Sequence, residues 1–508
     1  MEDTEGSGFT WLTAVPEDCQ STFDTVSVTG LDTIDLIERE SSLEVDPGVP
    51  IIVGYRELPN GNMEVDTRII HFANDPVFGA YGRPRGTQDV FRYQLPIFFR
   101  WLDGRGRPWD QVTIRDFAAY KLYRTRKRRV SDQTWDKDYF ALDRFYKWAK
   151  ADGHMDESPI PIRDQKQDPK KKRMQVAGKN AITHRWRWAT PGTFVLWREV
   201  GFRGYLPTPS EEGRGYEVGF EDETYRGHNI QRNVTYVDLV WSSALRRQEA
   251  GTLLLPELPE TVSSEPILAR KMAKKGRARR WRSANETIAQ INAYIHNSRA
   301  AAVRRAQHTG LYDSISPLWV TDFDTTSKGR TLTLADGSKM TVAELTIEDR
   351  MRLFREDASG RPEPLWLWLQ QNGMPLQQQG WNKIFERANQ RFSTELARVG
   401  RTSDVDWLSP HSLRFSYGLN LLIALHRIID KDPNAITGPG RYDAAYSIVA
   451  SLMGHANPEV TKTVYLEPLS QDRLWESVAF TNDDIATALE DIAMRDPRVL
   501  DLAEGWRG

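Results

Sequence analysis

The chain has 508 residues, of which 39% are hydrophobic and 10% aromatic, enough for two or three globular domains with sizeable cores. Its formal net charge of −2 argues on average against a nucleic-acid partner, but an acidic N-terminal stretch masks basic segments further along. Cys19 is the only cysteine, which excludes an intramolecular disulfide and a zinc site of four thiolates. The sequence has neither a bilayer-spanning apolar run nor a signal peptide, so a reducing, cytoplasmic setting is expected.

Residues 1–70 are predicted to form an acidic N-terminal extension. Within it, β-like runs occur at Ile51–Val53 and at Arg68–Ile70. The extension is either a solvated, weakly folded segment or a binding surface for a partner, and the sequence leaves both interpretations open.

Residues 71–160 are predicted to form a helical domain, because apolar side chains recur there at helical spacing. The first helix contains Pro96, which should kink or shorten it. The second opens at Thr113–Asp116 with the pattern of a capping box, and the third begins at Ser131 or Thr134. The residues expected to face inward are Val90, Phe91, Leu95, Phe99 and Leu102, then Phe117, Tyr120 and Tyr123, then Tyr139, Leu142, Phe145, Tyr146 and Ala149.

Two basic runs flank the third helix, one directly before it and one in a proline-containing linker at 161–175. A basic run is ordinarily a solvated face. Beside a compact helical bundle, a patch that contacts phosphates is an equally good interpretation. The candidate DNA-binding residues are Arg124, Arg126, Lys127, Arg128 and Arg129 in the first run, and Lys171 and Lys172 in the second.

Residues 176–475 are predicted to form a larger domain of mixed helix and strand. Alternating residues on both sides of Asp336-Gly337 predict a β-hairpin at 331–342, inside a segment at about 310–360 that reads as an insertion. The last segment, 476–508, is expected to be a tail with a short amphipathic helix at 482–496.

Four fragments of the second domain carry candidate chemistry. They are Ala244–Glu249, within a helix predicted from about Tyr236 to Leu254; the basic turn Lys274–Arg280; Pro410–Ser416, at the start of a helix; and Leu452–His455, followed ten positions later by Tyr465. Each fragment alone is more often structural, since ion pairs, turns and core tyrosines are common.

In this order, however, the fragments provide what phosphoryl transfer without a metal requires. A phosphodiester under attack gathers negative charge on its non-bridging oxygens, and two arginines offer rigid forks of N–H donors that stay charged at any working pH. A tyrosine oxygen can attack the phosphorus if a cationic pocket or a base favours its ionised form. A lysine on a turn can donate a proton to the departing alkoxide.

The combination resembles the tyrosine recombinase family (phage integrases and Xer-type recombinases) over roughly residues 85–475. The resemblance implies that Tyr465 is the nucleophile, that Lys275 is the general acid, and that Glu249 supports the first catalytic arginine. The register of the lysine is open, because Lys271 and Lys274 lie close by. The catalytic residues implied are Arg246, Lys275, His411, Arg414, His455 and Tyr465, and Lys274, Arg277 and Arg279 are further candidate DNA-binding residues.

The resemblance also implies a fold class, which is mostly α with a small β component. A helical core-binding domain and a mixed α/β catalytic domain would form a C-shaped clamp around double-stranded DNA. It further implies a homotetramer on synapsed DNA in a prokaryotic cytoplasm, with the C-terminal helix exchanged in trans and no cofactor. It also allows an accessory recombination protein as a partner. A type IB topoisomerase and a catalytically idle DNA-binding protein of the same fold are the alternatives.

Overall fold

The structure is a computed structural model that describes residues 7–13, 50–57, 63–79, 83, 85–160, 188–211, 215–259, 272, 279–324, 330–401, 408–431, 442–455, 499–500 and 502. The chain divides into two compact units, Met1–Thr183 and His184–Gly508. We call them the helical unit and, after the domain predicted for this part of the sequence, the catalytic unit. The predicted linker at 161–175, with Lys171 and Lys172, lies outside the described residues.

The helical unit begins with a three-stranded antiparallel sheet, in the order β1 (Ser7–Thr13), β2 (Pro50–Glu57) and β3 (Met63–Asp66). The strand predicted at 51–53 is confirmed as part of β2. The strand predicted at 68–70 is wrong, because these residues belong to helix α1 (Thr67–Asn74). A helix forms there because it places Ile69, Phe72 and Ala73, which follow helical spacing, on one fully buried face.

Three longer helices complete this unit: α2 (Arg85–Asp103), α3 (Ile114–Leu122) and α4 (Asp132–Ala151). Helix α2 continues past Pro96, so the predicted shortening is wrong. The helices enclose a core rich in aromatic rings, which includes Phe91, Leu95, Phe98, Phe99, Leu102, Phe117, Tyr120, Trp135, Leu142, Phe145 and Tyr146.

The predicted helix starts of α3 and α4 are confirmed. The backbone N–H of Thr113 donates to the carboxylate of Asp116 at 2.9 Å, and the N–H of Asp116 donates to the Thr113 hydroxyl at 3.4 Å, which completes the capping box. Ser131 caps α4 by accepting from the N–H of Thr134 at 3.2 Å. These caps fix where each helix begins.

The catalytic unit is built mainly from helices. In chain order they are α5 (Pro191–Arg198), α6 (Ile230–Ser243), α7 (Arg247–Gly251), α8 (Asn285–Tyr294), α9 (Ala300–His308), α10 (Ile347–Met351), α11 (Gln378–Arg398), α12 (Pro410–Lys431) and α13 (Asp443–Met453). Within the described part of the chain, no helix is both long and apolar enough to cross a bilayer.

Among the described residues, three sheets accompany these helices. Strands β4 (Trp188–Ala189), β5 (Tyr205–Pro209) and β6 (Tyr216–Glu221) precede α6, and β5 pairs with β6. A five-stranded sheet in the order β11-β10-β7-β8-β9 follows α9. Its strands are β7 (Leu318–Asp324), β8 (Thr331–Leu334), β9 (Lys339–Thr341), β10 (Leu353–Glu356) and β11 (Pro362–Pro364).

The β-hairpin predicted at 331–342 is confirmed. Strands β8 and β9 are antiparallel, with Leu332 opposite Met340, and Gly337 in the turn has a φ of +80° that suits glycine. The segment around this hairpin is firmly attached to the unit, because Arg350 is 1% exposed and donates to Glu257 and to the carbonyl of Thr252 at 2.9 Å. The additional residues therefore extend the core of the unit.

The end of the chain returns to the catalytic unit. Strand β12 (Val499–Leu500) pairs in parallel with β4, and Leu502 is 3% exposed within the core of the same unit. The N–H of Leu502 donates to the Thr193 hydroxyl at 2.7 Å, and its carbonyl accepts from Tyr216 at 2.8 Å. The amphipathic helix predicted at 482–496 lies outside the described residues.

Leu502→Ala should lower the free energy of unfolding by about 2–5 kcal/mol, because it removes a buried side chain and leaves a cavity. Chemical denaturation of the full chain would measure the change. Val195→Ala, at a side chain that is 40% exposed, is the control and should change stability by less than about 0.5 kcal/mol. Equal effects of the two substitutions would remove Leu502 from the core.

Candidate active site

The helix predicted from Tyr236 to Leu254 is interrupted in the structure, and this part of the prediction is wrong. Helix α6 stops at Ser243, Ala244 has a left-handed φ of +54°, and α7 starts only after Arg246. The interruption takes the Ala244 carbonyl out of the helical hydrogen-bond ladder, where side chains from elsewhere can reach it.

Arg246 and Glu249 hold each other across the first turn of α7. The backbone N–H of Arg246 donates to Glu249 Oε2 at 2.8 Å, and its guanidinium Nη1 donates to Oε1 at 2.7 Å. The Glu249 side chain is 1% exposed and that of Arg246 is 24% exposed. The guanidinium of Arg246 is thus held in place, while part of the side chain that carries it remains accessible.

Arg414 reaches the same place from α12. The Ser409 hydroxyl caps this helix by accepting from the N–H of Ser412 at 3.1 Å, and Pro410 occupies the first helical position. Arg414, which is 2% exposed, donates to the carbonyls of Ala244 and Met453. His411 lies one turn earlier on α12.

The C-terminal end of α13 supplies further carbonyls to the cluster. Gly454 has a φ of +60°, and the N–H of His455 bonds back to the Ala450 carbonyl at 2.9 Å, as in a Schellman ending. Arg246 Nη2 lies 3.5 Å from the Met453 oxygen and 3.4 Å from the Gly454 oxygen. The negative end of this helix dipole therefore faces the arginines.

A third guanidinium, that of Arg279, completes the cluster. Its Nη1 donates to the Leu452 carbonyl at 2.6 Å, and its Nη2 donates to Glu249 Oε2 at 2.8 Å. We call Arg246, Arg279, Arg414 and Glu249 the arginine cluster.

The charge balance of the arginine cluster is positive, with three guanidiniums and one carboxylate. Burial by itself raises the pKa of Glu249, but the charges of Arg279 and Arg246, with a smaller effect from Arg414, outweigh it and lower the pKa below its ordinary value. Glu249 is therefore ionised at neutral pH, and the excess positive charge suits an anion such as a phosphate.

The structure brings together Arg246, Glu249 and Arg414 of the predicted site, with the backbone of His455 at the end of α13. The ring of His411 packs edge-on against Phe415 at 4.5 Å. The remaining residues predicted for this site lie outside the described residues: Lys271, Lys274, Lys275, Arg277 and Tyr465. Nowhere among the described residues do three or more His, Cys, Asp or Glu side chains group as metal ligands would.

Arg279 is the residue that the sequence interpretation misplaced, because a basic turn suggested only contact with DNA. Its side chain is 9% exposed and is part of the arginine cluster. Arg280 and Arg282 are exposed, whereas Trp281 is buried. In an extended segment, side chains two residues apart face the same side. The apolar Trp281, two residues after Arg279, was therefore the signal in the sequence that Arg279 faces inward.

Arg124 is also misplaced by the sequence interpretation. It lies in a π-helical turn, Tyr123–Lys127, and its guanidinium donates to both oxygens of the buried Asp138, at 2.7 and 3.1 Å. Its charge therefore stabilises the helical unit and is unavailable to a phosphate. The other members of the run, Arg126, Lys127, Arg128 and Arg129, are exposed.

Arg124→Ala should lower the free energy of unfolding by about 3–5 kcal/mol at neutral pH, because Asp138 loses its counter-charge while buried. Burial already raises the pKa of Asp138 despite Arg124. The loss should therefore be smaller in acid, where Asp138 is protonated in both folded proteins, and should grow as the pH rises above the raised pKa that Asp138 has in the folded, unaltered protein. Chemical denaturation across pH would measure this.

Arg126→Ala is the matched control, because Arg126 is exposed in the same turn. It should change stability by less than about 0.5 kcal/mol at every pH. Equal stability of the two variants would contradict a structural role for Arg124.

Residues 80–153 match the sequence model of the phage integrase N-terminal SAM-like domain, a region that spans α2, α3 and α4. No curated protein matches the chain. Among solved structures, the Tn1549 transposon integrase in complex with circular intermediate DNA is similar, with 15% identity, a TM-score of 0.39, and coverage of 75% of this chain and 90% of that chain. XerA recombinase is similar with 12% identity, a TM-score of 0.27, and coverage of 75% and 86%.

Proposed function

We propose that this protein, which belongs to the tyrosine recombinase (phage integrase) family, cleaves and rejoins double-stranded DNA at specific sites. The observation that carries the proposal is the arginine cluster, in which Arg246 and Arg414 meet although they are far apart in sequence. Both contact the same short stretch of backbone at the end of α13.

The arginine cluster is suited to a scissile phosphate. As a nucleophile attacks phosphorus, charge grows on the non-bridging oxygens, and preorganised N–H donors stabilise that charge without having to reorient. Arg246 has the most exposed side chain of the three arginines, and Glu249 holds its guanidinium in orientation. We assign the binding of the phosphate to Arg246, backed by the positive charge of Arg414.

The nucleophile and the general acid in this proposal are Tyr465 and Lys275, which the family resemblance suggests. Lys275 precedes Arg279 by four residues, a span that reaches at most about 14 Å. Tyr465 follows His455 by ten residues, a span that reaches at most about 36 Å. The Tyr465 oxygen would lose its proton to solvent and form a 3′-phosphotyrosyl bond, while the P–O5′ bond breaks and the 5′ oxygen leaves with a proton from Lys275.

The covalent intermediate conserves the energy of the phosphodiester bond. Attack of a 5′ hydroxyl on the phosphotyrosine re-forms the DNA backbone and returns the proton to the enzyme, so the cycle needs no ATP. His411 and His455 are assigned to hydrogen bonding of the phosphate in both steps.

We further propose that the protein acts as a tetramer on two DNA duplexes, with residues 485–492 docking on a neighbouring protomer. Both ends of the segment that contains them, at His455 and at β12, are attached to the same catalytic unit. A helix that docks on a neighbouring protomer would thus be part of a loop whose two ends both stay attached to its own catalytic unit. An accessory recombination protein is compatible with this arrangement.

Tyr465→Phe should abolish the covalent protein–DNA adduct on a nicked suicide substrate, because it removes the attacking oxygen. Affinity for the DNA should stay within about twofold of that of the unaltered protein, because a single hydroxyl contributes little to a large phosphate-contacting surface. Adduct formation by the unaltered protein should survive EDTA, since the proposed charge stabilisation comes from arginines. Adduct formation by the variant would assign the nucleophile elsewhere.

Arg126→Ala combined with Arg128→Ala should weaken binding to every DNA sequence and reduce the slope of log affinity against log salt by up to about 2, because each contact with a phosphate releases counterions. The measurement is a titration at several salt concentrations. Lys147→Ala combined with Lys150→Ala, two exposed charges near the far end of α4, is the matched control. An unchanged slope would mean that Arg126 and Arg128 form only a solvated face.

A further inference from the structure

Arg279 links three segments of the catalytic unit through one guanidinium. Nη1 donates to the Leu452 carbonyl in the last turn of α13 at 2.6 Å. Nη2 donates to Glu249 on α7 at 2.8 Å and lies 3.3 Å from the Ala244 oxygen at the break after α6. A planar fork with several N–H donors makes all three contacts, which a single ammonium group could not reproduce.

The backbone of Gly454 lies directly against the Arg279 side chain. A Cβ added there would lie 2.8 Å from Arg279 Cδ and 2.9 Å from its Nε, and the φ of +60° independently favours glycine. Arg279 thus packs directly on the backbone that leads into His455. Arg279 is thus in contact both with Glu249 on α7 and with the C-terminal end of α13.

The two oxygens of the Glu249 carboxylate accept hydrogen bonds from different donors. Oε1 accepts from the Arg246 guanidinium, whereas Oε2 accepts from Arg279 and from the Arg246 backbone N–H. Three cations face this carboxylate: Arg246 from its own turn, Arg279 from the segment before α8, and Arg414 from α12. Of the two guanidiniums hydrogen-bonded to Glu249, that of Arg279 belongs to the less exposed side chain, which is 9% exposed against 24% for Arg246.

We propose that Arg279 is a positioning residue for DNA cleavage, acting through Glu249 to keep the Arg246 guanidinium oriented toward the scissile phosphate. This inference rests on the proposed function. It assigns Arg279 a role inside the catalytic unit in place of contact with the DNA backbone.

The physical reason is the ionisation of a buried acid. Without Arg279, burial would raise the pKa of Glu249 while one of the two strongest opposing charges is gone. A protonated Glu249 would hold Arg246 less firmly, and a small misplacement of a phosphate ligand costs a large factor in rate. The effect should therefore grow as the pH falls, because the protonated fraction of Glu249 grows.

The experiment measures the rate of covalent adduct formation on a suicide substrate from about pH 5 to about pH 8 in the full chain. Arg279→Ala should cleave about 10²-fold more slowly than the unaltered protein near the acid end of this range. The pH at which the cleavage rate of this variant falls on the acidic side of the profile should be higher than for the unaltered protein. Arg279→Lys restores a charge beside Glu249, so this pH should return toward that of the unaltered protein. Arg279→Lys should still cleave more slowly, because an ammonium group lacks the planar fork of N–H donors.

Arg282→Ala is the matched control, since it removes one positive charge three residues away at an exposed position. Arg279→Ala would overturn the inference if it matched Arg282→Ala in rate, or if it slowed cleavage equally at every pH. Should Arg279→Ala lose its cooperative unfolding transition, Arg279→Lys decides: full rate at every pH overturns the inference, and slowed cleavage with the original pH dependence supports it. No adduct from the unaltered protein would instead refute the proposed function itself.

Discussion

The catalytic unit depends on gathering three guanidinium groups, two of them on largely buried side chains, around a single carboxylate. Charges removed from water are costly unless hydrogen bonds and counter-charges replace the lost solvation. Here one carboxylate cannot satisfy three cations, so backbone carbonyls complete the coordination. Ala244 and the residues 452–454 supply them. The arrangement leaves a net positive charge, which an anion can neutralise.

Those carbonyls are available because two helices end where they do. Ala244 and Gly454 both adopt left-handed conformations, which terminate α6 and α13 and free the last carbonyl groups of each helix. Helix α12 meets both endings, so Arg414 spans them. The geometry of the site is therefore a consequence of helix termination, and a continuous helix through Arg246 would have removed one of its acceptors.

The residue types of the site and their order could be predicted from the sequence, because Arg246, Arg414 and His455 lie in fragments whose joint chemistry is distinctive. The direction in which individual arginine side chains point could not be predicted. Arg124 and Arg279 each sit in a basic run, and composition does not reveal which member of a run turns inward to a buried carboxylate. The break at Ala244 was missed because alanine favours helix and tertiary contacts with Arg414 override that preference. The roles of Lys275 and Tyr465 stay predictions from the family resemblance.

The most direct test of the arginine cluster as a phosphate site is a structure of the protein with its DNA site, nicked at the scissile position and treated with vanadate, which mimics the five-coordinate phosphorus. We expect the vanadate oxygens to accept hydrogen bonds from the guanidinium of Arg246, beside Arg414, with the Tyr465 oxygen as one apical ligand and the DNA 5′ oxygen as the other. Vanadate bound away from these arginines, or an apical ligand other than Tyr465, would contradict these assignments.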